Sequence, residues 1–469
     1  MLDKNTQKLY FIGIKGVGMT MLAGFLSQLG YSITGSDIKE TFMTDQILKR
    51  HGIKVHQGFS VNNLKEDYDL VIYSSAYNKD TNVEIKDLSK KGKVKMISYA
   101  QALSLVFNKS KGLAVIGSHG KTTVSAWLSY TLYQANKDPK ALIGARVPQL
   151  KGSSLAGKSD YLIAEVDEYQ NKLKYFNPFA SILLNIDFDH PDFFKTKAAY
   201  TKVFSDFVKK INKEGFLVYN LDDKKAKTLS YKTKAKKISI SLEDSSANFF
   251  AYNLKENKLK QSFDLQISKD GKRKNIKNVD IKLLGRHSVY NALAVFASSL
   301  ELGLNLKEIK RALFSFKGTA RRMEFLGKYK NMSIYDDYGH HPTEVASTIS
   351  GLRARYKDRH LCVVFHPHTY TRTKALFNDF VTSFSEADEV LINDIYGSAR
   401  EKQGGVSSKD LARAIREYNK KAGIKQKVKA SGGLKATENY LRRNYKDKDI
   451  VLLLGAGDIF RVAESLLKD

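Results

Sequence analysis

The chain has 469 residues, 42% of them hydrophobic, and a formal net charge of +29 from 78 Lys+Arg against 49 Asp+Glu. The length suits two to four domains and the apolar content suits ordinary packed cores, while no apolar run reaches the ~18 residues of a membrane span. The single cysteine, Cys362 in the buried-strand pattern HLCVVF, excludes an intrachain disulfide.

A cysteine-poor chain fits a reducing compartment. The opening MLDKNTQKLYFIGIKG lacks the charged, apolar and small-residue pattern of a signal sequence. A cytosolic protein with no membrane partner is therefore expected. A surplus of positive charge often marks a polyanionic partner. Here the excess is mostly lysine spread along the chain, densest from Lys209 to Lys282 in KTKAKK and KDGKRKNIK. No RRM, KH or helix-turn-helix signature accompanies it, so a solvated lysine-rich surface is expected and no nucleic-acid partner. The sequence is compatible with a monomer or a homodimer.

Short apolar runs alternate with longer amphipathic stretches, which predicts an α/β fold. Three blocks each open with an apolar strand, a turn and a helix, with boundaries near Asn108 and Phe316: 1–107, 108–316 and 317–469. In the first, LYFIGI leads into the turn Gly13-Ile14-Lys15-Gly16-Val17-Gly18 and a helix, and YSITGSD ends on Ser36 and Asp37. An acidic residue ending the second strand is the usual partner of a ribose. The glycine spacing alone leaves both a plain tight turn and a dinucleotide site open. The strand DLVIYSSA follows, carrying Ser74 and Ser75.

The second block holds the sharpest signal, Gly117-Ser118-His119-Gly120-Lys121-Thr122-Thr123, after LAVI and before a helix pattern. Glycines let backbone N–H groups approach phosphates, and the helix N-terminus adds positive potential. Lys121 is placed for the β- and γ-phosphates and Thr122 for Mg²⁺. The first glycine stands three residues before Gly120 rather than the five of the usual phosphate loop. DYLIAEVD and ASILLNID continue the block, and FFAYNLK and QSFDLQIS alternate as antiparallel strands should. The third block carries MSIYDDYGHHP, HLCVVFHPH, EADEVLINDIY and DIVLLLGAG.

Together these residues resemble the Mur ligases, over nearly the whole chain. The resemblance rests on FIGIKGVGM, GSD, VIGSHGKTT, LIAEVDE, NIDFDH, GRHSVYNALA, FKGTARRMEFLG, DDYGHHPTEV, FHPHTYTRT, DIYGSARE and LLLGAGDI. It implies three domains: a Rossmann-like N-terminal domain for a UDP-sugar, a P-loop-type central ATPase domain with a parallel sheet, and a doubly wound C-terminal domain with the amino-acid pocket. The first glycine turn would then hold the UDP diphosphate of UDP-N-acetylmuramate, through Gly13, Lys15, Gly16, Gly18, Ser36, Asp37, Ser74 and Ser75. Lys15 stands where many relatives have glycine, and its charge suits a diphosphate.

Amide formation needs an activated carboxylate. ATP can supply an acyl phosphate, which an amine then attacks, giving ADP and phosphate. Catalysis of this kind is mostly positioning plus neutralisation of phosphate charge. The resemblance implies that Glu165 shares Mg²⁺ with Thr122 and that His190, ending the strand SILLNID, ligates a second Mg²⁺. It places His287 and Asn291 at adenine, and Arg322 and Asp337 on ATP. The amino-acid pocket would comprise Tyr338, His340, His368 and Arg372, with the arginine forking the substrate α-carboxylate. A histidine with a pKa near neutrality, His340 foremost, would help deprotonate the incoming ammonium.

Two features bear on the amine. FHPHTYTRT has Thr369 where many alanine-adding members have arginine, and DEYQNKLKYF…NIDFDHPDFF is similar to members that add a whole tripeptide. The C-terminal motifs are similar to alanine-adding members, and that domain holds the amino-acid pocket. L-alanine is therefore the expected acceptor, with a recycling tripeptide as the alternative. A basic P-loop ATPase acting on nucleic acid, with LIAEVDE imitating a Walker B strand, is the alternative from another class.

Overall fold

The computed structural model describes residues 7–257, 259–397, 404–445 and 449–468. It comprises two compact units, Met1–Ile186 with Thr201–Ala247 and Ala294–Ala312, and Asp187–Tyr200 with Asn248–Leu293 and Leu313–Asp469.

The first unit contains two sheets. Strands β1 (Lys8–Ile12), β2 (Ser32–Asp37), β3 (Lys54–Gln57), β4 (Leu70–Tyr73) and β5 (Lys95–Ser98) lie parallel in the order β3-β2-β1-β4-β5. The order reverses beside β1, and such a switch point opens a crevice at the carboxyl ends of the strands. The Gly13–Gly18 turn leaves β1 there and enters the helix Val17–Gln28.

The second sheet runs β6 (Lys111–Ile116), β7 (Lys140–Val147), β8 (Gly152–Ala156), β9 (Tyr161–Glu165), β10 (Ala180–Leu183), β11 (Phe216–Asn220) and β12 (Lys236–Ser241), in the spatial order β12-β11-β10-β6-β9-β7-β8. All neighbours are parallel except β7 and β8. From Gly112 to Ile116, β6 is wholly buried, as a strand covered on both faces must be. Its carboxyl end feeds the second glycine turn and the helix Lys121–Gln134.

In the second unit, β13 (Phe249–Glu256), β14 (Gln261–Lys269) and β15 (Lys272–Ile281) form the antiparallel meander expected from FFAYNLK and QSFDLQIS, with Phe249 opposite Ile267. A six-stranded sheet follows: β16 (Glu324–Tyr329), β17 (Met332–Asp337), β18 (Leu361–Phe365), β19 (Glu389–Asn393), β20 (Lys427–Gly432) and β21 (Ile450–Leu454), ordered β16-β17-β21-β18-β19-β20. Only β16 is antiparallel to its neighbour. Side chains alternate across this sheet. Val363 and Phe365 pack on Phe380 and Ile415, whereas Cys362 and Val364 face Leu441 and Ile459. Cys362 is thus a small core hydrophobe. No helix of the described residues is long and apolar enough to cross a membrane.

One strand differs from the sequence reading. The pattern SILLNID predicts a strand running up to His190, but ladder pairing stops at Leu183. Beyond it the Asn185 side chain braces the neighbouring glycine turn.

Candidate active site

The second glycine turn is built around Asn185. Ser118 N–H donates to its carbonyl (3.1 Å) and His119 N–H to its Oδ1 (2.8 Å), and Asn185 Nδ2 returns a bond to His119 O (3.2 Å). Gly117 has φ +135°, and a Cβ there would lie 3.0 Å from Asn185 O, so only glycine fits. Val124 N–H opens the intrahelical ladder on Gly120 O, and among the described residues the amides of Gly120, Lys121, Thr122 and Thr123 have no protein acceptor. Unpaired first-turn amides with the helix field behind them form an anion cradle.

Lys121 reaches back over the turn. Its Nζ donates to Gly117 O, to Ser118 O (3.1 Å) and to Glu168 Oε2 (3.0 Å). Burial alone would lower its pKa, but the charges of Glu168, Asp167 and Glu165 outweigh that and raise it, so Lys121 is a permanent cation. Glu165 ends β9 and accepts from Gly144 N–H on neighbouring β7 (3.1 Å). A methyl on Gly144 would collide with the Glu165 carboxylate. Thr122 is 5% exposed, at the second helical position.

The first glycine turn carries open amides too. Val17, Gly18 and Met19 have no protein acceptor among the described residues, while Gly13 N–H is tied to Ser36 O (2.9 Å). Three side chains expected to meet the UDP moiety instead hold the protein together. The Lys15 ammonium donates to Ile38 O (2.9 Å), Glu40 O (2.7 Å) and Gln57 Oε1 (3.0 Å), and pairs with Asp45 (3.4 Å). It fastens the segment after β2 rather than presenting charge to a diphosphate. The Ser36 hydroxyl is fully buried and donates to Glu84 Oε2 (2.5 Å), which removes it from any uridine contact. Asp37 accepts from Lys15 N–H (2.6 Å) and Ile38 N–H (2.8 Å), and burial raises its pKa. Ser74 and Ser75 follow β4 at the same carboxyl edge, with Ser74 and Tyr77 packed on Gly13.

In the second unit the ends of β17, β18 and β19 gather a row of rings. Tyr338 meets His340 edge-on at 5.5 Å, His340 meets His368 at 6.0 Å, and His368 stacks on Tyr396 at 5.5 Å. The guanidiniums of Arg321 and Arg322 lie 5.0 and 5.2 Å from the Tyr338 ring centre. Tyr338, His340 and His368 are thus brought together as expected. Tyr396 was overlooked, although it stands within DIYGSARE; residues 398–401 of that motif lie outside the described residues.

Two expected roles in this unit change. The Arg372 fork is engaged by Asp189: Nε to Oδ1 at 2.9 Å and Nη2 to Oδ2 at 3.4 Å, both side chains buried. A protein carboxylate therefore occupies the face expected for the substrate's. Burial opposes ionisation of Asp189, but the Arg372 guanidinium outweighs it and holds its pKa well below the usual range. His340 is pushed down to about 3, by burial first and then by Arg372. It is a neutral ring at pH 7 and a poor acceptor for an ammonium proton, unlike the near-neutral base expected from the sequence.

His190 sits at φ +57°, with its N–H on Asp189 Oδ1 (2.7 Å). A non-glycine residue in the left-handed region is a strained site that its surroundings must enforce. Thr369 also has a positive φ, +70°, and caps the next helix through Arg372 N–H (3.4 Å). His287 and Asn291 lie one turn apart on the helix Arg286–Glu301, and His287 Nδ1 is 2.6 Å from Ser347 Oγ. Burial lowers the His287 pKa to about 4. Asp337 accepts from Met323 N–H (2.8 Å) and Gly339 N–H (2.7 Å), and Arg322 lies 3.8 Å from Glu344.

Sequence reading missed Asn185, Glu168, Gly144, Glu84, Asp189 and Ser347. Asp189 directly precedes His190 in NIDFDH, and Glu168 lies three residues after Glu165 in LIAEVDE, which was a usable signal. Glu84 and Ser347 come from elements distant in sequence, and no local pattern marks them.

Comparison with known proteins fits this geometry. The model of the Mur ligase family catalytic domain matches residues 8–111, that of the Mur ligase middle domain 115–299, and that of the Mur ligase glutamate ligase domain 321–457. The chain is 36% identical to the UDP-N-acetylmuramate–L-alanine ligase of Aquifex aeolicus, covering 100% of this chain and 99% of that protein. Among solved structures it is similar to the UDP-N-acetylmuramate-alanine ligase of Thermotoga maritima, with TM-score 0.81, 24% identity and 98% of each chain covered. It is also similar to a murein peptide ligase of Psychrobacter arcticus, with TM-score 0.74, 23% identity and 98% of each chain covered. At such identity these two likenesses speak to the fold alone.

Proposed function

Because the chain belongs to the Mur ligase family, we propose that it joins L-alanine to the lactyl carboxylate of UDP-N-acetylmuramate, with ATP converted to ADP and phosphate. The observation that carries this reading is the second glycine turn, where open amides and a charge-locked Lys121 lie beside the carboxylates that follow β9. In the first step a lactyl oxygen attacks the γ-phosphorus and ADP leaves. In the second the amine of alanine attacks the acyl carbon, the C–O bond to phosphate breaks, and the ammonium proton passes to solvent or to phosphate.

The amides of residues 120–123 and the Lys121 ammonium hold the β- and γ-phosphates and offset the charge that builds as the phosphoryl group moves. His287 and Asn291 face adenine, and Arg322 and Asp337 approach ATP. Mg²⁺ fits the hard oxygen donors of Thr122 and Glu165, with His190 for a second ion; when bound, the metal neutralises phosphate oxygens. The N-terminal turn seats the UDP-sugar on the amides of residues 17–19. Tyr338, His340, His368 and Tyr396 shape the amino-acid pocket, where neutral His340 orients the amine rather than storing its proton.

The same reading divides the chain near 107 and 316. It sets the work in the cytosol, where ATP and nucleotide sugars are found. The test is phosphate release from ATP with Mg²⁺ and UDP-N-acetylmuramate, comparing L-alanine with the L-Ala-γ-D-Glu-diamino-acid tripeptide. Turnover with L-alanine is expected. Turnover with tripeptide only would overturn the choice of amine and leave the ligase chemistry standing.

A further inference from the structure

Tyr99 opens the helix Tyr99–Asn108, directly after β5, and no role described so far uses it. Its ring lies on Gly18. A Cβ at residue 18 would come within 2.8 Å of both Tyr99 Cζ and its hydroxyl oxygen. Gly18 is the second residue of the helix Val17–Gln28, inside the run of three amides without a protein acceptor. Among the described residues, no protein group hydrogen-bonds the Tyr99 hydroxyl. Burial, with the nearby charges of Glu165 and Asp167, raises the pKa of this phenol, so it remains a neutral O–H donor. The phenol thus stands between a helix N-terminus that attracts anions and two carboxylates that repel them.

A neutral donor in that place suits an anionic oxygen seated on the turn. It adds a charge-assisted O–H···O⁻ bond without a second cation that the carboxylates would draw away. We propose that Tyr99 contacts substrate, its hydroxyl donating a hydrogen bond to the diphosphate of the sugar nucleotide on the first glycine turn, and that residue 18 is glycine so that this ring can reach it. The proposal rests on reading that turn as the UDP-sugar site. Nothing in the local sequence marks Tyr99, because the helix it opens lies about eighty residues beyond the turn.

The test is calorimetric binding of UDP to the full-length protein and to Tyr99→Phe, with steady-state kinetics for both. Loss of the hydroxyl is expected to weaken UDP about tenfold, equivalent to about 1.4 kcal/mol, and to raise KM for UDP-N-acetylmuramate by a similar factor. KM for ATP should stay within twofold and the melting temperature should not move. Gly18→Ala, which displaces the ring, should reproduce the loss. Equal UDP affinity in wild type and Tyr99→Phe would overturn the role of Tyr99 while leaving the site intact. A loss shared equally by ATP and UDP would overturn it as well, pointing to packing rather than contact. A wild-type protein that binds no UDP would overturn both the site and this proposal.

Discussion

The first unit contains two strand–glycine–helix turns, and they differ in what stands behind the open amides. At Gly13–Gly18 the lysine is turned into the protein, onto Ile38 O, Glu40 O and Gln57, and the acid Asp37 caps backbone amides. At Gly117–Gly120 the lysine lies over the turn against Glu168, and Glu165 ends the adjoining strand. On the proposed function one backbone device would serve two tasks. Open amides with neutral donors would hold a diphosphate that does not react. Moving a phosphoryl group requires a fixed cation and a carboxylate edge as well.

The largest expected effect falls on the second turn. Lys121→Ala should lower phosphate release on the order of 10³-fold, as loss of a transition-state donor does. It also leaves Glu168, 1% exposed, without its cation, so melting should drop. Lys121→Arg keeps the charge and should keep the melting temperature while activity stays low. An active arginine variant would break the contrast between the two turns.

Next comes Gly144→Ala, whose methyl displaces the Glu165 carboxylate. A disturbed metal-side carboxylate typically costs about 10–100-fold, and titration of activity with Mg²⁺ should shift to higher concentration. Gly152→Ala, where the nearest atom to a new Cβ is at 3.8 Å, is the control on the same hairpin. Equal activity in the two variants would detach Glu165 from the metal.

Lys15→Met sharpens the comparison from the other side. Losing a buried, hydrogen-bonded cation should destabilise the fold by about 2 kcal/mol, read as a lower denaturation midpoint. KM for UDP-N-acetylmuramate should change less than the midpoint shift would suggest. A large KM effect with unchanged stability would return Lys15 to the diphosphate.

The smallest effect is a pH dependence of stability. His287 and His340 have folded pKa values of about 4 and about 3, below the unfolded value near 6.5. The folded state binds fewer protons, so their stabilisation is full above about pH 6.5 and is lost as pH falls toward 4. Melting should drop by a few degrees over that window, and His287→Asn should flatten part of it. Within the same window kcat should show no ionisation belonging to His340.

The α/β alternation, the parallel strands that open each block, the antiparallel meander and both glycine turns were legible in the sequence. Each rests on local periodicity or on glycine and lysine at fixed spacing, which neighbouring residues enforce by themselves. Tyr338, His340 and His368 were legible as a group because two motifs of the resemblance, DDYGHHPTEV and FHPHTYTRT, carry them. The end of β10 was not, because NID continues an apolar run while ladder pairing stops at Leu183.

By itself the sequence determined which residues bear charge and which turns can cradle phosphate, since backbone freedom and residue chemistry are local properties. Only the tertiary structure decided where the charged ends point. Lys15 is drawn onto three oxygens from the 38–57 segment, Ser36 onto Glu84, and Arg372 onto Asp189. Each of those partners comes from another element, and a buried donor takes whichever acceptor the packed neighbours bring within reach.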